Sequence, residues 1–283
     1  LKNIPLPDSL TSIGQYAFYN TLCYNEWDED CDKKRKENIP YDSLYIGDCL
    51  IEAYWKISGD YTVRAGTKAI ADHAFDSQDA LTGITIPDSV THIGDCAFIG
   101  CSALANISIP DSVISIGEKA FSGCSTLTGI AIPNSVANIG ENAFESCVNL
   151  TEINVAAGNT AYCSEDGVLY DKEKTEIIRF PIGKSETSFT IPTGITSVAN
   201  GAFERCRNLT SIEIPDGVTS IGDSAFAHCE NLTSIVIPDG VPSIGSHAFF
   251  GCSKLFSVTI PNSVTSVGDY AFKDCGRLFF VDY

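Results

Sequence analysis

Seven of the twelve cysteines, Cys101, Cys124, Cys147, Cys206, Cys229, Cys252 and Cys275, stand three residues after an Ala-Phe pair and repeat at 23-residue spacing in two runs. Thiols at a fixed period are candidates for metal ligation, redox exchange, disulfides or plain core. Stacked about one strand spacing apart, their Cα atoms come near bridging distance, but their Cβ vectors run roughly parallel, the wrong geometry for a disulfide. A column of buried thiols acting as small apolar groups is the expectation. Cys23, Cys31, Cys49, Cys96 and Cys163 lie outside the column. A Cys23–Cys31 bridge around the loop they bracket stays open. So little sign of a bridging framework fits synthesis by an anaerobe or residence in a reducing setting.

The remaining chemistry-bearing residues are scattered. His73, His92, His228 and His247 fall in different repeats, and none pairs with another at metal-ligand spacing within one repeat. The segment Asn25–Asn38, NEWDEDCDKKRKEN, is the densest charge cluster. Asp30 with Lys34 and Asp32 with Lys36 suit a short solvated helix or loop. Calcium binding by Asp28, Asp30 and Asp32 is disfavoured, because the Gly and distal Glu of an EF-hand loop are missing and lysines compete for the carboxylates. No G-x-S-x-G, Walker, H-E-x-x-H or C-x-x-C motif occurs. A catalytic site is singular, whereas a repeat makes one environment many times. No catalytic residue, cofactor or metal is therefore expected.

The elements that carry these residues are repeats. The unit L-T-x-I-x-I-P-D-S-V-T-S-I-G-x-x-A-F-x-x-C-x-x spans 23 residues, and its Phe recurs nine times: Phe18, Phe75, Phe98, Phe121, Phe144, Phe203, Phe226, Phe249 and Phe272. In LTGITIP, Leu81 to Pro87, apolar and small polar residues alternate as in a half-buried strand. Pro87 ends it, and Asp88 and Ser89 favour a turn. Val90 and Ile93 point back inside, Gly94 permits a bend, and Ala97-Phe98 fill the opposite wall. One such coil cannot close a core. Stacked coils can, with strands about 4.8 Å apart.

The stretch Ile260–Phe272, IPNSVTSVGDYAF, is similar to the signature of the BspA-like leucine-rich repeat family. The resemblance covers nearly the whole chain. It implies a leucine-rich-repeat solenoid: a curved right-handed coil with a parallel β-sheet on the concave face and short helical or irregular turns on the convex face. One domain over 1–283 is expected: a first repeat (1–23), an insertion (24–57), a repeat block (58–149), a long repeat with a β-hairpin insertion (150–185) and a second block (186–283). Val168–Tyr170 and Ile177–Phe180 flank the polar turn DKEKTE, as a hairpin requires. The N-x-x-Y-x-x-x-D-G-V-L-Y segment of the family, here Asn159 to Tyr170, implies a protruding hairpin. Leu44–Tyr54 reads as a shorter one. Ala71 and Ala199 replace the bend glycine in the repeats that follow the insertions.

Function in a solenoid resides where residues vary. The strand positions between anchors form a small, mostly neutral strip that includes Asn106, Glu152, Asn154 and Glu213. Aromatics gather late: Phe250, Phe256, Phe279 and Phe280 replace the Thr, Ser or Ala of other repeats. They either cover the last coils or form an adhesive patch or docking edge. The 36 acidic residues against 18 Lys and Arg give a net charge of −18, which repels nucleic acid and anionic lipid. No apolar run approaches membrane-spanning length. A chain that starts at Leu1 and has no Met is expected to be a trimmed or mature piece, its export signal removed. The resemblance implies a non-enzymatic interaction module, extracellular or at the cell surface. It would bind a protein ligand such as a host extracellular-matrix protein or another microbial surface protein. A glycan ligand has no support in the strip, and a structural spacer is the alternative.

Overall fold

In the computed structural model, residues 43–53 and 57–282 are described, with Pro7, Ile13, Gly14 and Ala17. The Asn25–Asn38 loop with its Asp28, Asp30 and Asp32, Cys23, Cys31 and Phe18 with most of its repeat lie outside the described residues, as does the side chain of Phe280. The chain forms two compact units: Leu1–Leu127 with Pro133–Cys147, and Thr128–Ile132 with Val148–Tyr283.

Each repeat after the first insertion contributes two strands, and the repeat that begins at Leu127 gives its first, Gly129–Ile132, to the second unit and its second, Asn138–Ile139, to the first. In the first unit the x-I-x-I strands Ser58–Thr62, Ala80–Thr85 and Asn106–Ile107 pair in parallel. The second strand of each coil is only two residues long. Ala69–Ile70, His92–Ile93, Ser115–Ile116 and Asn138–Ile139 form a parallel ladder whose partners lie 23 residues apart, as in Ile70, Ile93 and Ile116. The second unit repeats the plan. Its first strands are Gly129–Ile132 with Glu152–Val155, then Ser188–Thr190, Ser211–Glu213, Ser234–Val236, Ser257–Thr259 and Phe280–Asp282. Its second strands run from Ser197–Val198 through Ser220–Ile221 and Ser243–Ile244 to Ser266–Val267.

The parallel solenoid agrees with the expectation. Of the two forms expected for the convex turns, the irregular one occurs and no helix does among the described residues, with a second ladder of two-residue strands beside the first. A buried backbone amide must find a partner. After Val and Thr the nearest acceptor is on the neighbouring coil, one strand spacing away, and a coil this short has no room for a helical turn.

Inward side chains stack into columns. In the coil that starts at Leu81, the anchors Leu81, Ile84, Ile86, Val90, Ile93, Ala97, Phe98 and Cys101 are all buried. Each large apolar anchor taken out of water contributes about 1.5–3 kcal/mol. The Phe rings stack face to face, at 4.9 Å for Phe75 and Phe98 and 5.3 Å for Phe98 and Phe121.

Both insertions serve the second ladder. Leu44–Ile46 and Cys49–Glu52 form a hairpin whose second strand pairs in parallel with Ala69–Ile70. Tyr162–Glu165, Val168–Asp171 and Glu176–Arg179 form an antiparallel meander whose last strand pairs in parallel with Ser197–Val198. The second insertion is thus built into the sheet rather than protruding, with Val168, Leu169, Tyr170 and Ile177 buried. Asn159 starts it: its buried Oδ1 accepts the amides of Ala161 and Tyr162, both at 2.8 Å. Asp166 (φ 50°) and Gly167 (φ 75°) supply the left-handed pair that a tight hairpin turn needs. The meander also rejoins the repeat earlier than the Ala-Phe pairs indicate. Phe180 stacks on Phe203 at 5.5 Å, in the slot 23 residues before it.

Ala71 and Ala199 mark where a new stack of coils starts. In an interior coil a Cβ at the bend would strike the backbone of the coil before; at Gly140 it would lie 2.3 Å from Glu118 N and 2.5 Å from Gly117 C. At Ala71 and Ala199 the amide donates to a strand of an insertion, to Leu50 O at 2.9 Å and Ile177 O at 3.0 Å, and a methyl group is accommodated.

Candidate interaction surface

The thiol column has a chemical role, though not a reactive one. Each Sγ donates to the carbonyl of the Phe 26 residues earlier. Cys101 reaches Phe75 O at 3.1 Å, Cys124 reaches Phe98 O at 3.3 Å and Cys147 reaches Phe121 O at 3.1 Å. In the second unit Cys229, Cys252 and Cys275 reach Phe203, Phe226 and Phe249 at 3.1 to 3.2 Å, and Cys206 makes a longer contact of 3.8 Å to Phe180. All seven thiols are free. Burial pushes Cys101 and Cys206 up to about 12 and raises Cys124 and Cys229 as well, which keeps these four protonated and unreactive. In the Phe75 repeat, Gln78 takes the column position. Its Oε1 accepts the Ile57 amide at 2.9 Å, so an acceptor replaces a donor where the preceding chain is irregular.

The strip residues are exposed but not assembled. Asn106 lies on the first unit's strand Asn106–Ile107. Glu152 and Asn154 lie on Glu152–Val155, and Glu213 on Ser211–Glu213, in two different sheets of the second unit. Glu213 Oε2 accepts the hydroxyl of Thr190 at 3.0 Å.

The late aromatics separate into two groups. Before each first strand of the second unit runs a threonine ladder in which the Thr210 hydroxyl donates to Thr187 O at 2.9 Å and that of Thr233 to Thr210 O at 3.1 Å. Phe256 and Phe279 occupy the next two rungs. Their amides continue the ladder to Thr233 O and Phe256 O, at 2.8 and 3.0 Å. Their rings stack outside it, 6.3 Å apart and 12° from parallel, with Phe256 48% and Phe279 77% exposed. Val236, 62% exposed, lies on the same sheet. Phe280 enters the ladder opposite Ser257.

Phe250 belongs elsewhere, on the turn between the Phe and Cys columns. His228 meets its ring edge-on at 5.1 Å and His247 at 5.6 Å, while Tyr270 lies 5.2 Å from His247. Lys273 Nζ sits 5.7 Å from the Phe250 centroid and 5.0 Å from that of Tyr270. Sequence reasoning left these histidines isolated in separate repeats. The signal lay in the register: positions flanking the Phe of adjacent repeats become neighbours once coils stack. His73, by contrast, pairs with Asp76 at 3.0 Å. Among the described residues no group of three or more His, Cys, Asp or Glu is arranged to hold a metal ion. No helix among them is long and apolar enough to cross a membrane.

Parallel ladders closed by Leu, Ile, Val, Phe and Cys columns at a 23-residue period define a leucine-rich-repeat solenoid. The family model described as the BspA type leucine rich repeat region matches six copies, over residues 1–28, 68–184 and 180–283, and the chain belongs to that family. A leucine-rich repeat protein from Eubacterium ventriosum is 29% identical with a TM-score of 0.66, over 79% of this chain and 72% of that one. A leucine rich cell surface protein from Faecalibacterium prausnitzii is 25% identical with a TM-score of 0.52, over 83% and 90%. The pneumococcal vaccine antigen PcpA shares the fold at 22% identity and a TM-score of 0.66, over 86% and 73%. No curated protein matches the chain.

Proposed function

We propose that this chain is a non-enzymatic interaction module of a bacterial surface, extracellular or cell-attached, that binds a protein ligand through the first-strand face of its second unit. The observation that carries this reading is the exposed Phe256–Phe279 stack, placed on two rungs where the preceding coils present threonine. Paired aromatics, with Val236 exposed on the same sheet, are an apolar anchor within a hydroxyl-rich rim, the composition of an interface centre. Family membership and the cell-surface description of the Faecalibacterium relative support the location.

The test is binding of the whole chain to immobilised fibronectin, fibrinogen and a glycan array, with Phe256→Thr/Phe279→Thr as the comparison. That double variant restores the residue of the other rungs and leaves the fold intact. A protein ligand whose affinity falls about tenfold or more with the double variant supports the reading. Unchanged affinity, or glycans alone as ligands, overturns it; no binding at all favours a spacer.

A further inference from the structure

The ring cluster of three consecutive coils in the second unit stands apart from the sheet face. It consists of His228, His247, Phe250, Tyr270 and Lys273, held by left-handed backbone at His228 (φ 57°), His247 (φ 57°) and Tyr270 (φ 56°). The imidazole of His228 packs over Gly251, where a Cβ would come to 2.7 Å from Nδ1, so the glycine makes room for it. Tyr270 is 59% exposed and Lys273 is exposed.

The seating of its cation over two rings sets the cluster apart. Lys119, Lys184, Arg205 and Arg207 pair with Glu118, Glu186, Glu204 and Glu230, and Lys174 pairs with Glu165. Among the described residues Lys273, like Lys68, Lys172 and Lys254, makes no ion pair with a carboxylate, although acidic residues outnumber Lys and Arg by 36 to 18. Its ammonium rests on two rings instead. A cation over aromatic faces keeps its charge available to a further anion. Two imidazoles beside it add hydrogen-bonding nitrogens, and Tyr270 adds an apolar surface with a hydroxyl.

We propose that His228, His247, Phe250, Tyr270 and Lys273 form a docking site for an acidic side chain, flanked by an apolar residue, on a partner protein. The carboxylate meets Lys273 Nζ and the neighbouring residue lies on Tyr270. A single acidic group is favoured over a polyanion because the net charge of −18 repels a polymer charged at every unit far more than one carboxylate. This site is independent of the Phe256–Phe279 face.

The experiment titrates acetyl-Phe-Asp-Phe-amide, acetyl-Phe-Asn-Phe-amide and sodium glucuronate into the full chain, read by the ring resonances of the histidines and Tyr270. The acidic peptide is expected to shift these resonances and to bind about tenfold more tightly than the neutral one, the weight of one ion pair. Lys273→Ala and Tyr270→Asn each weaken it by a similar factor, and Lys273→Arg restores it. Asn tolerates the left-handed backbone, and unchanged unfolding temperatures show that both variants are folded. Equal binding of the two peptides, no shift with either, or insensitivity to both variants overturns the proposal. Tighter binding of glucuronate than of the acidic peptide overturns it in favour of an acidic sugar.

Discussion

The thiol of Cys124 donates to the carbonyl of Phe98 at 3.3 Å, 26 residues back along the chain and one coil away in space. The same bond recurs at Cys101, Cys147, Cys229, Cys252 and Cys275 with little change in length. A hydroxyl could make this bond and a methyl could fill much of this space. Cysteine does both, which accounts for its presence in a chain whose cysteines form no disulfide among the described residues.

Cys124→Ala therefore removes a donor to a buried carbonyl and leaves a small void. A loss of about 1–3 kcal/mol is expected, read from the denaturant midpoint. Cys96→Ala, at a thiol outside the column that is only partly buried, should cost less. Equal losses would show that the column bond adds nothing.

Stability should fall with alkaline pH. Burial raises the folded-state value of Cys101 and Cys206 to about 12 from an ordinary 9.0. The native chain therefore holds protons that the unfolded chain releases, and each pH step above about 9 favours unfolding. The contribution is intact below the ordinary value and is lost as pH rises toward 12. Urea midpoints measured between pH 7 and 10.5 should decline over the upper part of that range. The six buried column thiols should react with a thiol reagent only at the rate of unfolding, and the half-buried Cys275 faster.

The bend glycine separates interior coils from the first coil of a stack. Gly140→Ala places a methyl on the backbone of Glu118 and should cost about 3 kcal/mol. Ala199→Gly, at the start of a stack, should cost only about 0.5–1 kcal/mol through chain entropy. Similar costs at the two sites would show that the coils do not press together as described.

Left-handed residues on the turn after the Phe column store small strains. Ser146 has φ 57° at the position that Gly100, Gly123 and Gly251 occupy in other repeats. Ser146→Gly should raise stability by about 0.5–1 kcal/mol, measured by thermal or urea unfolding. A loss would mean that the Ser146 side chain makes a contact worth more than the strain.

Much of this architecture was legible in the residues because the repeat writes it many times. The alternation in LTGITIP marks the first strand, and the order Ile-Gly then Ala-Phe marks the bend and the opposite wall. The expectation that the column cysteines are unbridged thiols followed from their parallel Cβ vectors and is met; six of the seven are buried, and Cys275 in the last coil is half-buried. The second ladder was not legible, because two residues such as Ser115–Ile116 are too few to show a period. Phe180 was hidden because RFP does not resemble the Ala-Phe signature, although it fills the same slot.

The grouping of exposed side chains over the surface depended on the stack alone. Phe250, Phe256 and Phe279 are near one another in sequence, yet Phe250 turns to His228 and His247 on the turns, while Phe256 and Phe279 meet beside the strands. The period, the anchors, the bends and the absence of bridge geometry in the column are local properties, written in residue type and spacing. Which exposed side chains become neighbours is decided by the pitch of the coil, which brings residues about 23 apart within one strand spacing. That distance exists only after every coil has found the one before it.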